Sequence, residues 1–250
     1  MRWAALVGTA LLLVTGCDGH PGVAAPPSGT GFDYQLGGAY RPADEVGIVV
    51  RDRSAAPDPD RYPVCYVNAF QTQPGEHAVP EELLLHDATG ARVEDPDWPG
   101  EFLVDVSTAA KRTAVVGVVG RWIDACAADG YDAVEPDNLD SWTRSDGALD
   151  EDDAAATARL LIARAHADGL AIAQKNAVEL AGRHLGFDFA VTEDCAAFAE
   201  CDTYAAAYDV VLDVEYGGCA EVPDHVTAVH RDLELTTPGS PGHAFEACAG

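Results

Sequence analysis

An apolar run beginning at Tyr131 ends in a crowd of acids: YDAVEPDNLDSW places Glu135, Asp137, Asn138 and Asp140 within six residues. FDFAVTED ends in Glu193-Asp194 and VVLDVEY in Glu215-Tyr216. PVCYVN ends in Asn68, and LAIAQKN in Lys175-Asn176. Carboxylates facing one another can divide labour, one ionised and one protonated, which is what breaking a glycosidic bond requires. Collecting them is costly for folding, and that marks the cluster as functional rather than merely paired. Lys175 is one of only two lysines in the chain, and between acidic endings it would orient a carboxylate or tune its pKa.

Other chemistries lack their motifs. There is no strand-turn serine elbow, no H-E-x-x-H and no P-loop. The acids of Asp140–Gly147 and Asp150–Asp153 do not have the spacing of a calcium loop, and no cysteine spacing makes a zinc site. Neither metal nor organic cofactor is expected.

Acids at the ends of separate runs meet only if the runs are staves of one sheet. Eight strand-like runs recur: FDYQLGG, VGIVV, PVCYVNA, FLVDV, YDAVEPDN, LAIAQKN, FDFAVTED and VVLDVEY. Helical segments separate several of them. One starts at Ser107 and stops at Gly130; another runs from Asp150, an N-cap followed by acids suited to the positive helix start, to Gly169. Alternating strands and helices predict a single (β/α)8 barrel, with irregular, helix-poor connections before about Ser107. The tail after Gly217 reads as a disulfide-tied cap or a last helix. Period-two alternation puts Ala133, Glu135 and Asp137 on one face, with Val134 opposite, and Glu193 with Val191 and Phe189. Asp213 and Glu215 share a face opposite Leu212 and Val214. Alternate staves of a barrel share a layer, so Asp137 and Glu193 are expected to meet at its C-terminal mouth.

The formal charge is −27, from 42 acidic and 15 basic residues. Such a surface rejects nucleic acid and anionic lipid and favours cationic partners. MRWAALVGTALLLVTGC reads as an export signal with an apolar stretch too short to span a membrane, and its VTGC end resembles the lipobox at which Cys17 is lipidated. A lipid anchor there would be the chain's sole membrane contact, with the protein held at the outer face of a bacterial cell membrane, as a monomer. Residues 1–17 are then the signal, the Gly- and Pro-rich residues 18–31 a flexible tether, and 32–250 the domain. Removing Cys17 from seven cysteines leaves Cys65, Cys126, Cys195, Cys201, Cys219 and Cys248, enough for three disulfides with 15 possible pairings. Cys195 with Cys201 closes a short loop, Cys219 with Cys248 pins the tail, and Cys65 with Cys126 remains by elimination.

VCYVNAF, DGYDAVEPDNLDSW, GLAIAQKNA, FDFAVTEDC with its following ECD, and VVLDVEY resemble glycoside hydrolase family 114, and FDYQLGG is similar to that family's opening strand. The likeness covers about Phe32 to Gly217. It implies a (β/α)8 fold, endo-α-1,4-polygalactosaminidase activity without cofactor, and a retaining mechanism with Asp137 and Glu193 as the catalytic pair; of the two, we assign Asp137 as nucleophile and Glu193 as acid/base. Glu135, Asn68, Asn138, Lys175, Asn176 and Glu215 would position the sugar and tune the pair. A galactosamine polymer with free amines is a polycation, suited to the chain's charge, and Asp140, Asp194 or Glu215 would meet its ammoniums. Tyr34, Tyr66, Trp142 and Tyr216 would stack on sugar faces. The alternatives are a non-catalytic carbohydrate-binding surface protein on the same barrel, or a hydrolase of another amino-sugar glycan.

Overall fold

The structure is a computed structural model describing residues 23–248. The export signal, Cys17 and the first part of the expected tether lie outside the described residues. Nine strands form one sheet in chain order: β1 Gly31–Gln35, β2 Val46–Asp52, β3 Tyr62–Asn68, β4 Ala133–Asp137, β5 Ala171–Lys175, β6 Phe189–Glu193, β7 Val211–Glu215, β8 Val226–Arg231 and β9 Phe245–Ala247. Pairs from β1 to β8 are parallel; β9 runs antiparallel along β8. This is the expected (β/α)8 architecture with β9 appended.

Both faces of the parallel strands are buried, so each reads as an apolar run. Large inner side chains (Phe32, Tyr34, Phe189) are offset by small ones (Ala133, Ala171, Ala173), which lets the barrel fill. The outer face packs Cys65, Val67, Val134 and Ile172 against α1 (Ala109–Asp129) and α2 (Glu151–Ala167). Both helices begin and end on local signals. Asp150 caps α2 in a reciprocal box with Asp153, and Gly130 ends α1 in left-handed backbone at φ 94°. Thr108 caps α1, one residue beyond the expected Ser107, whose hydroxyl instead bonds Asp105. The remaining helices, α3 (Val178–Ala181) and α4 (Cys201–Ala207), are short. As expected, no helix joins β1 to β2 or β2 to β3.

Two expectations need correction. FLVDV is not a stave: its residues make isolated antiparallel bridges, Leu103 to Gln71 and Val104 to Leu84, in a long excursion between β3 and α1. Leu103, Val104 and Val106 bury themselves in the outer core, which accounts for the apolar run. The eighth stave is instead VTAVHR, within the stretch read as a cap or helix. Its Arg231 is wholly buried and spans the seam between β8 and β1, donating to the Asp33 carboxylate at 2.8 Å and to the Tyr34 carbonyl.

The disulfides are Cys65–Cys126, joining β3 to α1, Cys195–Cys201 after β6, and Cys219–Cys248, which ties β9 to the loop before β8. Three such bonds belong to a protein of an oxidising, extracytoplasmic compartment. From residue 23 on, the expected tether lies on the barrel: Val23 packs against the inner cluster, and Tyr62 donates its hydroxyl to the Ala24 carbonyl at 2.6 Å. Among the described residues no helix is long and apolar enough to cross a membrane.

Candidate active site

Three neighbouring staves end in the same way. Asp137 is followed by Asn138 at φ 63°, Lys175 by Asn176 at φ 46°, and Glu193 by Asp194 at φ 55°. Left-handed backbone is costly for most side chains and least so for Asn and Asp. In each case it turns the chain sharply off the strand, while the preceding side chain stays within the mouth.

Lys175 is the hub of that mouth. Only 1% exposed, its Nζ lies 3.0 Å from Asp137 Oδ1 on β4, 3.0 Å from Glu193 Oε2 on β6 and 3.5 Å from Glu135 Oε1 below them. It also donates to the Tyr34 hydroxyl at 3.3 Å, and that hydroxyl donates to Glu135 at 2.6 Å. Burial opposes a charged lysine, yet the three carboxylates outweigh it and hold the ammonium charged well beyond the ordinary lysine range.

The carboxyls themselves are differentiated. Burial pushes Asp137 up, but Lys175, the Tyr66 hydroxyl at 2.6 Å and the Asn138 amide more than reverse it, so Asp137 is held below the usual carboxylate range. Glu135, fully enclosed, is driven by burial up to about 7 even though Lys175 draws it down. Glu193 is the more open, its side chain 28% exposed against 16% for Asp137. It accepts from the Tyr216 hydroxyl and from Asn176 Nδ2 at 3.2 Å, and its own amide donates to Asn176 Oδ1 at 2.8 Å. Around neutrality the mouth therefore holds an ionised Asp137 and a solvent-facing Glu193 across one ammonium.

Tyr34, Asp137, Asn138, Asp140, Lys175, Asn176, Glu193 and Tyr216 line one cavity of about 380 Å³. Two expected residues stand behind its wall. Glu135 is beneath the floor, and Asn68 holds Asn138 Nδ2 at 3.0 Å and donates to Glu101 at 3.1 Å. Glu215 does not reach the site. It lies on the other face of β7 from Leu212 and Val214, which fill the barrel, and its Oε1 accepts the Ala196 amide at 2.8 Å. Trp142 packs on the outer core instead of facing the mouth, and Asp194 is engaged with the Tyr216 amide at 2.8 Å. Asp140 lines the cavity but is already ion-paired with Arg144 at 3.0 Å.

The wall also includes residues that the sequence reading missed: Arg144, Asp95, Asp97, Trp98 and Glu101, most of them on the excursion between β3 and α1. Arg144 ties the excursion to β4, reaching Asp95 at 2.8 Å, Gln71 at 2.9 Å and Asn138 at 3.0 Å. Asp95 accepts the amides of Asp97 and Trp98, and Trp98 is left 46% exposed. Burial raises Glu101 above the ordinary glutamate range, against hydrogen bonds from Gln71 and Asn68. The available signal was DPDWPGEF, where a tryptophan sits inside a polar turn without an apolar periodicity to bury it.

Solved structures agree on the fold. The crystal structure of Aspergillus fumigatus Ega3 in complex with galactosamine is similar over 90% of this chain and 98% of that one, with a TM-score of 0.73 at 22% identity. The glycoside hydrolase domain of PelA from Pseudomonas aeruginosa is similar over 84% of this chain and 98% of that one, with a TM-score of 0.56 at 13% identity. No curated protein sequence matches. The model of glycoside-hydrolase family GH114 matches residues 16–242, nearly the whole chain, and the protein belongs to that family.

Proposed function

We propose that this glycoside hydrolase cleaves α-1,4-linked galactosamine-containing polysaccharide by retention, with Asp137 as nucleophile and Glu193 as acid/base. The observation that carries the mechanism is that Asp137 Oδ1 and Glu193 Oε2 each stand 3.0 Å from the same Lys175 nitrogen. The two oxygens are thus no farther apart than twice that distance, less than the roughly 6.5–9.5 Å that an inverting pair needs to admit water. Asp137, ionised under Lys175 and Tyr66, attacks the anomeric carbon while Glu193 passes its proton to the departing oxygen. Glu193 then takes a proton from the water that hydrolyses the glycosyl ester.

The substrate reading rests on the cavity's acids, on the chain's charge of −27 and on the galactosamine in the Ega3 complex. Asp52, Asp97, Glu101 and Glu234 join the pair in facing the cavity, an excess of negative charge over Lys175 and Arg144 that suits a polyamine sugar. Incubation with defined, deacetylated α-1,4-galactosamine oligomers should release reducing ends whose first-formed anomer is α by NMR. Release of the β anomer would overturn retention. Binding without any release would leave a carbohydrate-binding surface protein, and cleavage of other amino-sugar oligomers alone would reassign the substrate.

Trp98 offers the sugar an exposed aromatic face at the cavity wall. Trp98→Ala is expected to raise KM on long oligomers about tenfold, consistent with ~1–1.5 kcal/mol of stacking, with kcat little changed. An unchanged KM removes Trp98 from substrate binding. The export signal and the lipidated Cys17 complete the proposal: a lipid-anchored enzyme at the cell surface. Mass spectrometry of the mature N-terminus should find acyl chains on Cys17, and a processed, unacylated terminus would contradict the anchor.

A further inference from the structure

Two buried carboxyls lie outside the cavity and have no part in the mechanism above. Asp213 and Glu215 are 0% and 2% exposed, project two residues apart from the outer face of β7, and form no ion pair with lysine or arginine among the described residues. What surrounds them is largely neutral. Thr192 of β6 donates to Asp213 Oδ1 at 2.7 Å, and the Cys195–Cys201 disulfide brings a sulfur from α4 alongside. Ala228 and His230 of β8 are the register partners of Asp213 and Glu215. Asp202 and Glu221 line the shallow cavity beside the disulfide, farther out.

Two ionised carboxylates in that position would repel with only neutral hydrogen-bond donors, and no cation, to offset them. One proton would relieve the arrangement, and Asp213 Oδ2, buried and without a hydrogen-bond partner, is the atom placed to carry it toward Glu215. Burial indeed pushes the Asp213 carboxyl up to about 7, with Thr192 pulling the other way and Glu215 adding to the rise.

The use of the pair appears in what it holds. Directly after Glu193, three successive amides are gripped by three successive residues of β7. Asp194 N donates to the Val214 carbonyl at 2.8 Å, Cys195 N to Asp213 Oδ1 at 3.2 Å and Ala196 N to Glu215 Oε1 at 2.8 Å. The grip is returned, because Asp194 Oδ1 accepts the Tyr216 amide at 2.8 Å and the Tyr216 hydroxyl donates to Glu193. We infer that Asp213 and Glu215 are positioning residues for Glu193: a proton-sharing carboxyl pair that clamps the turn after β6 and thereby sets the Glu193–Tyr216 hydrogen bond at the mouth. The inference rests on the catalytic reading of Glu193. Because a 1 Å displacement of a catalytic group costs on the order of 100-fold, a clamp at the next residues has leverage on rate rather than on binding.

The test combines pH profiles of kcat and KM on deacetylated galactosamine oligomers with hydrogen exchange of the 194–200 segment, for wild type, Asp213→Ala and Asp213→Asn. Asp213→Ala should lower kcat by about 10- to 100-fold, keep KM within about twofold and lose protection at the Cys195 and Ala196 amides. The amide of Asp213→Asn presents a carbonyl to Thr192 and Cys195 and an N–H to Glu215 at every pH. It should restore both readouts and abolish the loss of segment protection expected of wild type as Asp213 deprotonates above neutrality. Wild-type kcat and protection in Asp213→Ala, or a wild-type pH dependence of protection in Asp213→Asn, overturns the inference. If Asp213→Ala fails to fold, the asparagine arm decides alone. A wild type that cleaves nothing counts against the proposed function only, since the exchange measurement still judges the clamp.

Discussion

Asp137→Asn and Glu193→Gln are each expected to lower kcat by at least about 10⁴-fold, the scale seen when one member of a unit that acts together is removed. Both substitutions preserve volume and leave Lys175 a partner, so far-ultraviolet circular dichroism should remain that of the wild type. The roles separate on chemistry. In Asp137→Asn the attacking oxygen is gone and no glycosyl ester forms, so an external nucleophile such as azide should restore turnover, giving the β-glycosyl azide. In Glu193→Gln the acid is missing and the nucleophile remains. An aryl glycoside with a good leaving group should therefore still form the ester, which accumulates for want of a base to activate water. Mass spectrometry of the trapped protein would place the sugar on Asp137. An ester on Glu193 would exchange the two roles, and full activity in either variant would remove that residue from the reaction.

Lys175→Met should be the most damaging single change to both stability and rate. The side chain is 1% exposed and balances Asp137, Glu193 and Glu135 at 3.0, 3.0 and 3.5 Å. Without the ammonium those carboxyls must either stay charged and unpaired or take up protons, at a cost of about 3–5 kcal/mol at neutral pH. The sign of the pH dependence follows from the shifts. Asp137 is depressed in the folded state, so its contribution is present above the ordinary carboxylate value and is lost as pH falls through the folded one. Lys175 is raised, so its contribution is present below the ordinary lysine value and disappears only as pH rises through the elevated one. The melting deficit of Lys175→Met should therefore be largest near neutrality and shrink in acid, as the carboxyls protonate in both proteins. Because Asp137 would no longer be held ionised, kcat should fall by at least about 100-fold at pH 7. A deficit of equal size at pH 4 and pH 7 would refute the charge-balance account and make the lysine a packing residue.

Both predictions draw on residues that were visible before any coordinates. Asp137, Lys175 and Glu193 end apolar runs, and alternation along a strand is a local property with period two, so Asp137 could be placed on one face with Glu135, and Glu193 with Val191, directly. That a parallel barrel gathers its strand ends at one mouth did the rest. The α2 capping box and the Gly130 stop were legible for the same reason: they depend on neighbours three or four residues away.

Long-range geometry decided what remained. Alternation says which residues share a face but not which face is inward, and on strands buried on both sides hydrophobicity does not break the tie. That is why Glu215 was expected in the cavity and is found behind β7, clamping the turn after Glu193. FLVDV and VTAVHR are equally strand-like locally, yet only the second finds partners in β7 and β9. Arg144, Trp98 and Glu101 join the wall only because the excursion after β3 folds back over β4, a contact between segments that no periodicity links. The residues that gather at the mouth were thus inscribed in residue type and spacing along the chain. The direction each acid faces was settled by pairing and burial among distant segments, because those energies exist only once the barrel has closed.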